Sequence, residues 1–207
     1  MKPSILNKII TGVYAISALT LASFSQAAET PATPLATAIF AGGCFWCMEK
    51  DFEKVPGVVE VESGFTGGQL ANPSYEQVSH GGTGHAEAVR VHFNAQKISY
   101  EKLVDYFWHH IDPTVKDQQF CDKGHQYRSA IFYLDDVQKK IAEASKTTLE
   151  HSAKFAQIYT AIGPASTFYP AEEYHQDYYK KNPIRYAYYR KSCGRDARVD
   201  EVWRSSH

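Results

Sequence analysis

Cys44 and Cys47 stand three residues apart in AGGCFWCMEKDF, after a short apolar run and a pair of glycines. A thiol at the first turn of a helix meets unpaired backbone N–H groups and the positive end of the helix dipole, which favour thiolate over thiol. Gly42 and Gly43 leave room for a substrate to approach the main chain, and Phe45 and Trp46 set two aromatic surfaces beside the sulfur. Three chemistries are open to such a pair: nucleophilic catalysis by Cys44, disulfide exchange by the CxxC unit, and zinc binding. Zinc needs four ligands, and neither a second CxxC nor an HxxxH completes the set, because Cys121 and Cys193 are isolated. No metal site is expected.

Glu87 is the second residue of interest. In EAVRVHF the strand period places Glu87, Val89, Val91 and Phe93 on one face, so the carboxyl shares the apolar side and its pKa should rise. A proton held near pH 7 suits a general acid. The other reading, an ion pair with Arg90 or a carboxylate turned to solvent at the strand end, is equally open from the pattern. A simple disulfide exchanger gives Glu87 no purpose. Tyr75, Asp122 and Tyr127 lie in two long loops, where phenols and a carboxyl can bind a polar oxygen, although loop Asp is commonly a turn former. His80, His85 and His125 sit among glycines and read as solvated loop residues.

The elements that must position these groups follow from periodicity. AIFAGG reads as a buried strand and FWCMEKDFEKV as a helix, with Cys44 at their junction; VVEVESGF is a half-buried strand. Ser99 caps a helix through YEKLVDYFWHHI, SAIFYL is a strand, and Asp135 or Asp136 caps the next helix. QIYTAI is a further strand and Pro170 opens a helix through AEEYHQDYYKKN, while the chain from Ile184 onward shows no period and reads as a long coil. Strands and helices mixed without regular βαβ spacing indicate an α+β domain, a sheet covered by helices.

The 207 residues suffice for one domain with a short appendage. Lys+Arg 22 against Asp+Glu 23 leaves a formal charge of -1, so no basic field attracts nucleic acid. Lys2 and Lys8 precede the apolar run IITGVYAISALTLASF, which ends in small residues at Ser25, Ala27 and Ala28; this has the form of a secretory signal, too short to span a bilayer, cleaved after Ala27 or Ala28. The expected organisation is therefore a signal peptide over 1–27, a Pro-, Ala- and Thr-rich linker over 28–37 and a folded domain from Ala38. The mature protein is expected in the periplasm or outside the cell, without stable membrane insertion. There, disulfides are permitted.

The segments AGGCFWCMEKDFEKVPGV, SGFTGG, NPSYEQV, GHAEAVRVHF, HQYRSAIFY and AEEYHQDYY, in that order over Ala38 to Asn182, resemble the peptide methionine sulfoxide reductase A family. The resemblance implies a two-layer α+β fold with a ferredoxin-like core, acting on the S epimer of methionine sulfoxide, free or in proteins. It places Cys44 on the nucleophile, Glu87 on the acid, Phe45 and Trp46 on the methyl pocket, and Tyr75, Asp122 and Tyr127 on the groups that hold the sulfoxide oxygen. Cys44 would become a sulfenic acid, condense with a second thiol, and be reset by an external thioredoxin-like dithiol, with no bound cofactor. Members differ in the resolving cysteine: Cys193, in a tail expected to be mobile, is the first choice and Cys47 the second, with Cys121 silent or competing. A monomer is expected. The alternative function is a thioredoxin-like exchanger using Cys44 and Cys47.

Overall fold

The structure, a computed structural model, describes residues 35–204. The expected signal segment 1–27 and most of the expected linker 28–37 lie outside the described residues. The first strand, β1 (Ala36–Gly42), begins two residues ahead of the expected Ala38, because Ala36 and Thr37 already pair with Phe93 and His92. After it come α1 (Phe45–Glu53), β2 (Val58–Thr66), α2 (Tyr75–Ser79), β3 (Ala86–Phe93) and α3 (Tyr100–Trp108). A small hairpin of β4 (Gln118–Gln119) and β5 (Asp122–Lys123) leads to β6 (Ser129–Tyr133), α4 (Asp136–His151), β7 (Ala161–Pro164) and β8 (Tyr169–Pro170). The chain ends in α5 (Tyr178–Lys181), α6 (Pro183–Ser192) and α7 (Arg195–Trp203).

The main sheet runs β7-β6-β1-β3-β2-β8, and its four central strands are mutually antiparallel. With α1 between β1 and β2 and α3 between β3 and β6, this is the ferredoxin-like arrangement. Strand alternation divides the core in two. Ala38, Phe40, Val61, Val89, Val91 and Ile131 face Met48 and Phe52 of α1, Leu103 and Phe107 of α3 and Ala142 of α4. Ile39, Ala41, Ala86, Ala88 and Ala130 face the other way, and their small side chains let the segment carrying Ala165 and Phe168 lie over the sheet without a helix. Among the described residues no helix is long and apolar enough to cross a membrane.

Two expectations fail here for one reason. The tail, expected as coil, forms α6 and α7, but α6 buries only Tyr186 and α7 only Arg195, so no apolar stripe marks them. Ion pairs dock them instead: Arg190 to Asp51 at 3.0 Å and to Asp196, and Arg198 to Asp112 at 2.7 Å. The helix expected from Pro170 is replaced by β8, a 3-10 turn (Glu173–His175) and the short α5. There the Gln176 amide accepts from Ser63 N at 2.9 Å and donates to Ser63 O at 2.8 Å, standing in for a strand partner.

Candidate active site

Cys44 occupies the N-cap of α1, its carbonyl accepting from Cys47 N at 3.1 Å and Met48 N at 3.3 Å. The glycines before it are sterically required. A Cβ on Gly42 would lie 2.6 Å from Met48 Sδ, and one on Gly43, whose φ is +80°, would lie 2.6 Å from Gln119 Cβ. Glu87 enters from β3, opposite Phe65 of β2, and is buried on the helix side of the sheet as the alternation indicated. The Phe45 N–H, freed by its position at the helix start, donates to Glu87 Oε2 at 3.0 Å. Arg90 is engaged instead with Glu62, its Nε donating at 2.9 Å, so Glu87 has no cation beside it.

Asp122 is delivered by the β4–β5 hairpin, whose anchor is the buried Gln119 side chain: it accepts from Asp112 N at 3.0 Å and donates to Asp112 O at 2.7 Å. Tyr75 opens α2, where Ser74 and Gln77 form a capping box and Tyr75 N donates to Glu172 at 2.9 Å. Tyr127 ends the 3-10 turn His125–Tyr127. Cys44, Phe45, Trp46, Tyr75, Glu87, Asp122, Tyr127 and Tyr189 together line one small cavity of about 60 Å³. The structure thus gathers every expected residue except Cys193 and Cys47 on its walls. His85, expected in solvent, is buried: it accepts from Gly68 N at 3.2 Å and bonds Leu70 O at 2.8 Å, fixing the loop before β3.

Three participants were not foreseen, and a fourth, Cys121, was expected only as silent or competing. Tyr189 of α6 donates to Asp122 Oδ2 at 2.5 Å and lines the same cavity as Cys44. His175 accepts from Trp46 Nε1 at 3.0 Å, while Tyr178 stacks on the indole at 3.7 Å between centroids, so Trp46 is held from two sides. Burial lowers His175 to about 4, leaving a neutral ring with Nδ1 as the acceptor. Arg195 reaches from α7 into the core beside α1, donating to Gly42 O at 3.0 Å and His110 O at 2.9 Å. Cys121 is the fourth, joined to Cys193 in a disulfide across 72 positions. Tyr189, one helical turn before Cys193, is readable as a site residue only once that stretch is known to be helical.

The thiols differ from expectation. Cys193, first choice as resolving thiol and expected on a mobile tail, ends α6 and is paired with Cys121, whereas Cys44 and Cys47 are free and buried. Burial pushes the Cys44 thiol well up, and neighbouring Cys47 and Glu87 add to this. Cys47 is lowered to about 7, first by its hydrogen bond with Cys44 and then, against its burial, by Arg195 and Arg190. Burial raises Glu87 to about 8, against the Phe45 hydrogen bond. Burial likewise raises Asp122, which accepts from Tyr189, and Tyr75 and Tyr127, whose phenols present O–H donors to anything bound between them.

A family model described as peptide methionine sulfoxide reductase matches residues 36–207. The chain is 51% identical over 174 residues to peptide methionine sulfoxide reductase MsrA of Limosilactobacillus reuteri, covering 83% of this chain and 99% of that protein. It is 48% identical over 191 residues to MsrA 2 of Caulobacter vibrioides, covering 92% and 96%. Among solved structures it is similar to reduced Mxr1 from Saccharomyces cerevisiae, with 33% identity, a TM-score of 0.69 and coverage of 75% of this chain and 90% of that one. Methionine sulfoxide reductase A of Corynebacterium diphtheriae is 34% identical with a TM-score of 0.66, over 75% and 77% of the two chains.

Proposed function

Because the chain belongs to the peptide methionine sulfoxide reductase family, we propose that it reduces methionine S-sulfoxide with Cys44 as nucleophile and Glu87 as proton donor. The observation that carries these roles is the Phe45 N–H to Glu87 hydrogen bond, which ties the acid to the peptide unit next to the nucleophile. A methylsulfinyl group fits the cavity with its methyl against Phe45 and Trp46 and its oxygen toward Glu87, Tyr75, Asp122 and Tyr127. Protonated Glu87 gives its proton to the sulfoxide oxygen as Cys44 sulfur attacks the substrate sulfur. The Cys44 proton passes to the thiolate of Cys47, its neighbour in the first turn of α1. The hydroxyl then passes from the substrate sulfur to the Cys44 sulfur: a Cys44 S–O bond forms, the substrate S–O bond and the new Cys44–substrate S–S bond break, methionine leaves, and Cys44 is left as sulfenic acid. No metal or organic cofactor enters the scheme.

Resolution falls to Cys47. It is free and adjacent, and two arginines favour its thiolate, whereas Cys193 is engaged by Cys121. Cys47 returns its proton to Glu87 and attacks Cys44 sulfur; the hydroxyl leaves as water with the Glu87 proton, giving a Cys44–Cys47 disulfide. Cys121–Cys193 is the outer pair, with Cys121 exposed where a thioredoxin-like dithiol reaches it. Cys193 as direct resolver keeps one supporting observation: its sulfur lies 4.0 Å from the hydroxyl of Tyr189, which lines the catalytic cavity with Cys44. The enzyme is proposed to be exported and monomeric, the export resting on Lys2, Lys8 and the apolar run to Ala28.

Single-turnover reduction of the separated S and R epimers, by wild type and Cys44→Ser, tests the assignment. Consumption of S alone, abolished in the variant, is the expected result; turnover by the variant removes Cys44 from the mechanism.

A further inference from the structure

The catalytic cavity is too small for the substrate it serves. At about 60 Å³ it has room for roughly two water molecules, enough for a methyl, a sulfur and an oxygen but not for the rest of a methionine residue. A second cavity of about 580 Å³ shares Trp46, Tyr75 and Tyr189 with it, so it begins where the first ends. This volume is typical of ligand-binding clefts, roughly 300–1,000 Å³. Its walls are largely aromatic, and two of them, Tyr174 at 58% and Tyr188 at 76%, are exposed far beyond what packing requires. Arg185 is the cation on its rim, and Cys121 and Cys193 form part of its wall.

Building on the reductase reading, we propose that this groove binds the polypeptide on either side of the oxidised methionine as an extended segment, apolar or aromatic neighbours lying against Tyr174 and Tyr188. An acidic side chain meets Arg185. Because the Cys121–Cys193 bond forms part of the same wall, a bound segment covers it, and substrate and dithiol reductant exclude one another. The occupant follows from continuity: whatever places a methylsulfinyl group on Cys44 must leave through the opening bounded by Trp46, Tyr75 and Tyr189.

The test compares kcat/KM for a heptapeptide of Tyr- and Leu-flanked methionine S-sulfoxide with that for N-acetyl-methionine S-sulfoxide, in wild type and in a Tyr174→Ala, Tyr188→Ala double variant. The wild-type ratio of peptide to amino acid is expected to exceed about ten, the equivalent of one well-buried aromatic contact, and to fall toward one in the variant. A ratio the double variant leaves unchanged overturns the proposal. Failure of wild type to reduce either substrate overturns the reductase reading itself, a distinguishable outcome. Independently of activity, the same peptide with norleucine in place of the sulfoxide is expected to slow reduction of Cys121–Cys193 by dithiothreitol several-fold in wild type. Equal rates with and without peptide contradict the shared groove.

Discussion

The Phe45 N–H donates to Glu87 Oε2 at 3.0 Å, so the residue following the nucleophile holds the acid in place. An N–H at the first turn of a helix has no partner within its own helix, and a carboxyl buried on a sheet has no water. Each satisfies the other. The bond favours the carboxylate, yet burial prevails and Glu87 keeps its proton to about pH 8.

The pH profile of turnover follows from two groups. Cys47 must lose a proton, with a midpoint near 7, and Glu87 must keep one, to about 8, so kcat/KM is expected to rise through pH 7 and fall beyond pH 8. Glu87→Gln is expected to lower kcat by about 10²–10⁴ and to abolish the falling limb. A falling limb that survives the substitution assigns it to another group.

Raised carboxylates also set a stability trend. For Glu87, and for Glu49, which burial raises to about 7, the unfolded chain ionises above pH 4.5 while the folded protein stays protonated. Their stabilising contribution is full below pH 4.5 and is lost as pH rises through 7 to 8. Denaturation of Glu87→Gln between pH 5 and 8 is expected to show a shallower loss than wild type.

Cys47→Ser is expected still to release one methionine per chain, more slowly because Cys44 loses its base, while slowing steady-state turnover at least about tenfold further, since the sulfenic acid then lacks its neighbour. Rapid-quench counting of methionine with the Cys121–Cys193 bond intact distinguishes the steps. Unchanged steady-state turnover assigns resolution to Cys193.

Arg195→Met removes a buried guanidinium that bonds Gly42 O and His110 O and lies 3.8 Å from Asp51. Loss of charged hydrogen bonds to groups that stay buried is expected to cost about 2–4 kcal/mol in urea denaturation. It is also expected to raise the Cys47 midpoint, read as thiolate absorbance near 240 nm.

Tyr189→Phe deletes the hydroxyl that donates to Asp122 in the cavity lined by Cys44. A fall of about tenfold in kcat/KM is expected, the equivalent of one hydrogen bond. An unchanged value leaves Tyr189 a packing role against Trp46.

What was legible in the sequence lies within one element or at a junction. Cys44 was placed by the turn from a strand to a helix, and the burial of Glu87 by the period of two in β3. The central strands and the Ser99 and Asp135 caps carried equally local signals, and both caps form. Tyr75, Asp122 and Tyr127 were marked only weakly, as polar groups in long loops, and took their roles from family resemblance, because loops have no period. Tyr189, Arg195 and the Cys121–Cys193 bond were hidden because each acts on residues 67 or more positions away through helices docked by charge. A hydrophobic pattern does not register such contacts. The choice between Cys193 and Cys47 as resolving thiol turns on the same long-range contacts.

The most direct measurement of the central claim is mass mapping of the sulfenic acid. Cys47→Ser, with Cys121–Cys193 oxidised, would be given one equivalent of methionine S-sulfoxide peptide in the presence of dimedone. One dimedone adduct on Cys44 for each methionine released is expected. Methionine release without that adduct, or an adduct on another residue, would contradict the assignment of Cys44 as the atom that takes the oxygen.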